Sequence, residues 1–213
     1  MSLARHTLAR ITVIVAVCLL PLSISARARR PLPVIDCFGD SITAGYGVAP
    51  GKAYPDDLES DLEAHGYHYR VVNSGISGNT TKDGVDRLPD ILRLHPAVVL
   101  VEFGGNDGLR GIPIADTQRN LSTIVSTLLR AGSKVVLLGI TLPPNYGPDY
   151  VRQFNAVFPQ VAARYHVPVI ANIYQNVYDV PNAIQDDGIH PTAAGAQILA
   201  HNFVPILRAL LHR

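Results

Sequence analysis

The chain has 213 residues, which is enough for one domain with a full hydrophobic core. Hydrophobic residues make up 47% of the chain and charged residues 16%, a composition that excludes an intrinsically disordered protein. The formal net charge is only +1, so the sequence carries no basic field of the kind that binds nucleic acid.

The first 28 residues have the pattern of a secretory signal peptide. Arg5 and Arg10 flank the start of an apolar run over 11–20, and small residues up to Ala28 form a cleavage site. The run is too short to span a membrane comfortably, so a retained anchor is the less favoured alternative. Cleavage after Ala28 removes three of the 18 basic residues and leaves 15 against 17 acidic ones, a net charge of −2. We therefore predict a periplasmic or secreted mature protein with no stable membrane anchor.

Of the two cysteines, only one lies in the mature chain in this interpretation. Cys18 lies inside the leader and follows Val17, which is a poor match to a lipoprotein cleavage site. Cys37 is then the single cysteine of the mature chain, so no disulfide is expected although the compartment would allow one. It lies in a predicted buried strand, where it reads as a small hydrophobe rather than as a nucleophile.

Beyond the leader, predicted strands alternate with predicted helices. The predicted strands cover 34–38, 69–73, 98–103, 134–140 and 167–170. The predicted helices cover 54–65, 82–95, 114–131, 150–165 and 192–211, with a kink or break at Pro89, Pro159 and Pro205. This alternation predicts an α/β fold over 31–213, a single doubly wound domain with a mainly parallel five-stranded sheet and helices on both faces.

The loops that follow the predicted strands are rich in glycine and small polar residues. In a doubly wound fold these loops meet at one edge of the sheet, where ligands bind. The segments concerned are 39–41, 73–80, 104–107, 141–147 and 186–191. One such loop would indicate little, but five that converge predict a functional site at this edge.

Ser41 and His190 are the candidates for nucleophile and base. Ser41 follows an apolar strand and Gly39, so a tight turn would present its hydroxyl at the sheet edge. His190 lies in a loop with Asp187 three residues before it, a carboxylate that can orient the imidazole towards a hydroxyl. The competing interpretations are that Asp40 and Ser41 only cap the next helix, and that 187–190 is only a turn.

Acyl transfer at Ser41 would also need hydrogen-bond donors for the oxyanion that develops in the transition state. Gly78 can offer an unobstructed backbone N–H, Asn106 a side-chain amide, and Ser41 its own N–H. Gly75 is a rival for the glycine donor. For Asn106, a simple turn role after Gly104 and Gly105 remains the alternative.

These blocks, in this order, resemble the SGNH hydrolase superfamily, also called GDSL esterases and lipases. The similarity extends from 34 to 191 and is closest to a secreted bacterial subgroup of thioesterases, lysophospholipases and arylesterases. The segments that carry it are Gly39-Asp40-Ser41, Ile76-Ser77-Gly78-Asn79-Thr80, Gly104-Gly105-Asn106-Asp107 and Asp187-Gly188-Ile189-His190-Pro191.

The resemblance implies a role for each of these residues. Ser41 would be the nucleophile and His190 the base, oriented by Asp187 rather than by its rival Asp186. Ser41, Gly78 and Asn106 would form the oxyanion hole. The implied function is that of a secreted serine esterase that cleaves carboxylic ester and thioester bonds, including acyl-CoA and lysophospholipids, without a cofactor or a metal. The implied fold is flavodoxin-like.

The sequence also suggests a substrate-binding surface. Leu109 and Ile112, in a glycine-flanked segment after Asn106, would contact an acyl chain, and Pro143 and Tyr146 would form the opposite wall. The alternative is that Leu109 and Ile112 only pack their own loop. We expect a monomer that acts on a small-molecule acyl ester or thioester.

Three other functions remain open at this point. A carbohydrate acetyl-esterase could use the same scaffold, and so could a protein that binds a ligand without turning it over. A flavodoxin-like cofactor protein is possible from the fold alone, although the sequence has no phosphate-type glycine-rich loop before a helix.

Overall fold

The computed structural model describes residues 31–212. The predicted signal peptide over 1–28 lies outside the described residues. Between residues 31 and 212, no helix is both long enough and apolar enough to cross a membrane.

Five parallel strands form one sheet. They are β1 (Val34–Gly39), β2 (Arg70–Gly75), β3 (Val98–Glu102), β4 (Lys134–Leu138) and β5 (Val169–Ile170). Their order in the sheet is β2-β1-β3-β4-β5, and every neighbouring pair is parallel. This is the flavodoxin-like order, in which the chain reverses direction across the sheet between β1 and β3. The predicted fold class is confirmed.

Helices cover both faces of the sheet. They are α1 (Ser41–Ala44), α2 (Tyr54–Ala64), α3 (Thr81–Arg93), α4 (Gly105–Leu109), α5 (Ile114–Arg130), α6 (Pro148–Tyr165) and α7 (Ala193–Arg208). Cys37 of β1 faces Tyr54 of α2, whose ring packs against Phe203 of α7. The next residue, Phe38, points the other way, towards Phe103 and the guanidinium of Arg87 in α3.

The structure corrects one element and adds two. Pro159 lies inside the single helix α6, so the predicted break there is wrong. Phe154, Val157, Phe158 and Val161 are buried on both sides of the proline, and this packing compensates for the hydrogen bond that proline removes. The short helices α1 and α4, which begin directly after loops at the sheet edge, were not predicted.

The ends of β1 and β2 are glycines because α1 lies against them. A Cβ on Gly39 would come within 2.0 Å of Thr43 Oγ1, and one on Gly75 within 2.1 Å of the Ala44 nitrogen. All of β1 and β3 is buried, as a strand covered on both faces must be. A buried strand and two glycines therefore hold α1 in one place at the carboxyl edge of the sheet.

Candidate active site

Ser41, His190 and Asp187 form one chain of hydrogen bonds. The Oγ atom of Ser41 lies 2.8 Å from His190 Nε2, and His190 Nδ1 lies 2.7 Å from Asp187 Oδ2. The second carboxylate oxygen of Asp187 accepts from the backbone N–H groups of Ile189 and His190, both at 2.9 Å. Partial burial pushes the pKa of Asp187 up, but these hydrogen bonds and the His190 ring together outweigh it and lower that pKa. Asp187 is thus held as a carboxylate beside the imidazole.

The loop that carries His190 is held by two side chains. Gln185 Nε2 donates to the carbonyl oxygens of Tyr46 at 2.7 Å and Pro191 at 2.8 Å, so it ties the loop to the segment after α1. The hydroxyl of the buried Tyr174 donates to the carbonyl of Ile189. The Tyr46 ring lies 4.6 Å from the His190 ring, centroid to centroid. These contacts fix the position of the His190 imidazole relative to Ser41.

Ser41 is the first residue of α1, and Asp40 caps that helix. Asp40 Oδ1 accepts from the Ile42 N–H at 3.1 Å. The Asp40 backbone N–H donates at 3.4 Å to the fully buried carboxyl of Glu102, whose Oε2 also accepts from Thr43 Oγ1 at 2.9 Å. Burial raises the pKa of Asp40 to about 6, and burial together with the Asp40 charge raises the pKa of Glu102 further.

The predicted oxyanion donors lie on the same cavity as the nucleophile. Ser41, Gly78 and Asn106 all line it. Asn106 Nδ2 donates to Asp40 Oδ2 at 3.2 Å and to the carbonyl of Asn79 at 2.9 Å. The carbonyl of Gly78 accepts from Arg110 at 2.9 Å. Gly75, the rival glycine, is instead packed beneath α1.

The cavity beside Ser41 has a volume of about 190 Å³ and a largely apolar lining. Of the four predicted substrate contacts, Leu109 and Pro143 line it, whereas Ile112 and Tyr146 lie outside the lining. The hydroxyl of Tyr146 donates to the carbonyl of Leu109 at 3.0 Å, so Tyr146 supports the wall from behind. Leu109 is the last residue of α4, so the glycine-flanked segment begins as a helix rather than as a loop.

Several lining residues were not identified from the sequence. Ile140 and Leu142 extend the wall directly beyond β4, and the spacing of an apolar strand running into a Pro-rich loop could have indicated them. Three tyrosines form the other wall, and they come from two separate loops: Tyr46, Tyr174 and Tyr178. No local pattern marks these tyrosines, because only the fold brings the two loops together.

The alternative candidates for the triad carboxylate and the nucleophile, Asp186 and Cys37, lie in different surroundings from the residues of the triad. Asp186 is exposed, next to the Asp187 that contacts His190. Cys37 is fully buried, and burial raises the pKa of its thiol well above its usual range, which disfavours the thiolate that a nucleophile needs. Within residues 31–212, no group of three or more His, Cys, Asp or Glu side chains is arranged to hold a metal ion.

Comparison with known proteins gives a consistent picture. Residues 37–198 match the model of the GDSL-like Lipase/Acylhydrolase family. The chain is 43% identical over 174 residues to Esterase TesA of Pseudomonas aeruginosa, covering 81% of this chain and 87% of that protein. It is 38% identical over 175 residues to thioesterase 1/protease 1/lysophospholipase L1 of Escherichia coli, covering 82% and 83%.

A solved structure agrees with the fold. The crystal structure of TesA superimposes with a TM-score of 0.80 at 42% identity, covering 84% of this chain and 99% of that one. Its fold, the family match over 37–198 and the identity to enzymes of this kind lead to one conclusion. The chain belongs to the GDSL-like lipase/acylhydrolase family and is a serine hydrolase of the SGNH type.

Proposed function

We propose that this enzyme hydrolyses carboxylic esters and thioesters of short or medium acyl chains through an acyl-enzyme on Ser41. The observation that carries the proposal is the unbroken hydrogen-bond chain from Asp187 through His190 to Ser41 at the mouth of an apolar cavity. The relatives named esterase and thioesterase support the same substrate class.

In the first half of the reaction, Ser41 Oγ attacks the carbonyl carbon while His190 Nε2 takes the hydroxyl proton. Asp187 accepts from His190 Nδ1–H and stabilises the imidazolium that forms. The carbonyl oxygen becomes an oxyanion, for which the N–H groups of Ser41 and Gly78 and the Asn106 amide are the proposed donors. His190 then protonates the leaving alcohol or thiol, and the acyl-enzyme remains.

In the second half, water replaces the leaving group. His190 takes a proton from that water, which attacks the acyl carbonyl, and a second oxyanion forms at the same donors. Its collapse breaks the bond to Ser41, and His190 returns the proton to the serine oxygen. The products are the free acid and the original enzyme.

The size of the cavity supports a preference in the length of the acyl chain. Its volume of about 190 Å³ is below the roughly 300 Å³ at which sites for drug-sized ligands begin. Leu109, Leu142 and Pro143 offer an apolar wall to an acyl chain. We therefore propose a preference for short and medium acyl groups over palmitoyl.

The decisive experiment compares hydrolysis of p-nitrophenyl esters from acetate to palmitate by the wild type and by Ser41→Ala. Loss of the serine nucleophile is expected to lower kcat by at least about 10³-fold across the series. Ser60→Ala is the matched control, because this exposed hydroxyl only donates to the Asp56 carbonyl, and it is expected to keep wild-type rates.

Two outcomes would contradict the proposal. Full activity in Ser41→Ala would remove Ser41 as nucleophile. A wild type that cleaves none of the esters would remove the acyl-esterase function, and acetylated sugars would then be the substrates to assay.

We also propose that the mature enzyme acts outside the cytoplasm as a monomer. The support is the basic and apolar pattern of 1–28. Mass spectrometry of the exported protein is expected to find an N-terminus at Arg29, and light scattering a single chain mass. Recovery of an intact leader from the membrane fraction would contradict this.

A further inference from the structure

Two buried carboxyl groups lie directly behind the proposed nucleophile. Asp40 and Glu102 are 1% and 0% exposed, and the backbone N–H of Asp40 donates to Glu102 Oε2 at 3.4 Å. Burial raises the pKa of both carboxyl groups. Glu102 thus accepts from the backbone of Asp40, and its other oxygen, Oε1, is buried without a hydrogen-bond partner within residues 31–212.

The two oxygens of Asp40 have separate partners. Oδ1 accepts from the backbone of Ile42 at 3.1 Å and caps α1, whereas Oδ2 accepts from Asn106 Nδ2 at 3.2 Å. The same Nδ2 also donates to the carbonyl of Asn79 at 2.9 Å. Acceptors from two different loops thus take both N–H groups of the Asn106 amide, so donation to an oxyanion in the cavity must replace the bond to Asn79 while the bond to Asp40 holds the amide in place.

We propose that Asp40 is a positioning residue for the oxyanion donor: its Oδ2 holds the Asn106 amide in the orientation that the transition state requires, and Glu102 fixes the Asp40 backbone by accepting from its N–H. This inference rests on the proposed function, in which Asn106 donates to the oxyanion. Asp40 acts through Asn106 and touches no reacting atom.

The substitution Asp40→Asn separates this role from helix capping. Asparagine caps a helix about as well as aspartate, so α1 and Ser41 can keep their place. It has one acceptor oxygen where aspartate has two, so the Ile42 N–H and the Asn106 amide must compete for it. We expect kcat on p-nitrophenyl butyrate to fall about 10- to 100-fold, less than the loss of an oxyanion donor itself, with KM within about 2-fold.

A double-mutant cycle tests whether the effect passes through Asn106. Asn106→Ala is expected to lower kcat by about 10²- to 10³-fold. In that background Asp40→Asn should cost less than about 2-fold more, because the amide it would hold is gone. Asp36→Asn is the matched control, a buried carboxyl on the same strand that bonds Ser74 instead, and it should leave kcat within about 2-fold in both backgrounds.

An inhibitor gives a readout that a purely structural role would not move. A trifluoromethyl ketone forms an oxyanion on the enzyme, whereas the butyrate product does not. Asp40→Asn should weaken the ketone by the same factor as kcat and leave product affinity unchanged.

Each contrary outcome identifies what fails. Wild-type kcat in Asp40→Asn, or an equal loss in both backgrounds, would overturn the positioning role. Wild-type kcat in Asn106→Ala would overturn it together with the oxyanion assignment, while Ser41→Ala would still report separately on the nucleophile.

If Asp40→Asn does not fold, Glu102 supplies a second pair of variants. Glu102→Leu removes the acceptor of the Asp40 backbone N–H, whereas Glu102→Gln keeps one. Glu102→Leu should lose more kcat than Glu102→Gln, and the difference should vanish in the Asn106→Ala background. A difference that persists there would overturn the proposal.

Discussion

The two sides of the cavity use carboxyl groups in opposite ways. On the nucleophile side, which we define as residues 34–44 and 102–107, Asp36, Asp40 and Glu102 are buried and burial raises the pKa of each. On the base side, residues 184–191, the Asp187 side chain is 38% exposed and its pKa is lowered. Carboxyl groups thus have raised pKa values on the nucleophile side, whereas the lowered pKa of Asp187 keeps it a charged carboxylate on the base side.

The difference separates two requirements of acyl transfer. The nucleophile and the oxyanion donors must not move, and a buried network between strands provides that rigidity. The base must exchange protons with a hydroxyl, a leaving group and water, and a partly exposed loop held by a few hydrogen bonds allows this. Loss of the base itself should therefore affect catalysis far more than folding, whereas changes on the nucleophile side should affect stability as well.

The largest expected effect is on the base side. His190→Ala should lower kcat by about 10⁴-fold or more, because Ser41 loses the group that takes its proton. The melting temperature should change little, since His190 lies in a loop outside the core. Steady-state kinetics and calorimetry measure the two quantities. A melting temperature lowered by many degrees would show that His190 also stabilises the fold, and would contradict the difference between the two sides.

Asp36→Asn tests the cost of a buried carboxyl on the nucleophile side. Burial raises the pKa of Asp36 from 3.8 to about 6, so the folded state binds this proton more tightly than the unfolded state. The wild type therefore loses stability as pH rises from about 4 to about 6, and the asparagine variant should not. Relative to the wild type, the variant should gain on the order of 3 kcal/mol between pH 4 and pH 7. Denaturant unfolding at both pH values measures this, and parallel profiles would contradict it.

Thr43→Val tests the hydrogen bonds behind the nucleophile. Thr43 Oγ1 donates to Glu102 Oε2 at 2.9 Å and lies 3.2 Å from the Tyr54 hydroxyl. Valine has nearly the same shape but leaves these buried groups without a partner, which should cost about 1–3 kcal/mol of unfolding free energy. Thr43→Ser keeps the hydroxyl and should recover much of the loss. Equal destabilisation by valine and serine would point to packing instead.

Gln185→Ala is expected to have the smallest effect. It removes the bonds from Gln185 to the carbonyls of Tyr46 and Pro191, so His190 should be less well aligned with Ser41. We expect kcat to fall by less than about 10-fold, and unfolding free energy by about 1 kcal/mol. Gln118→Ala, which removes an exposed side-chain bond to Gln160, is the control. A loss of unfolding free energy much larger than the free-energy equivalent of the kcat loss would contradict the difference between the two sides.

Much of the fold could be predicted from local pattern. Continuous apolar runs such as Val98–Phe103 mark strands buried on both faces, and their alternation with helices confines the sheet to a parallel one. The break expected at Pro159 was wrong because tertiary packing of the residues around the proline outweighs its local penalty. The sequence does not predict helix α4, because Gly105 and Gly108 disfavour a helix locally. Position 108 is a glycine because contact with Leu142 leaves no room for a side chain there.

The amino-acid pattern alone indicates which residues lie at the ends of strands, and hence that Ser41, Asn106 and His190 approach one edge of the sheet. That much follows from strand periodicity and the geometry of a parallel sheet. The fold alone establishes that Tyr46, Tyr174 and Tyr178 close the cavity and that the backbone N–H of Asp40 donates to Glu102. These contacts join segments that are distant in the chain, and their energies depend on burial, which no local pattern records.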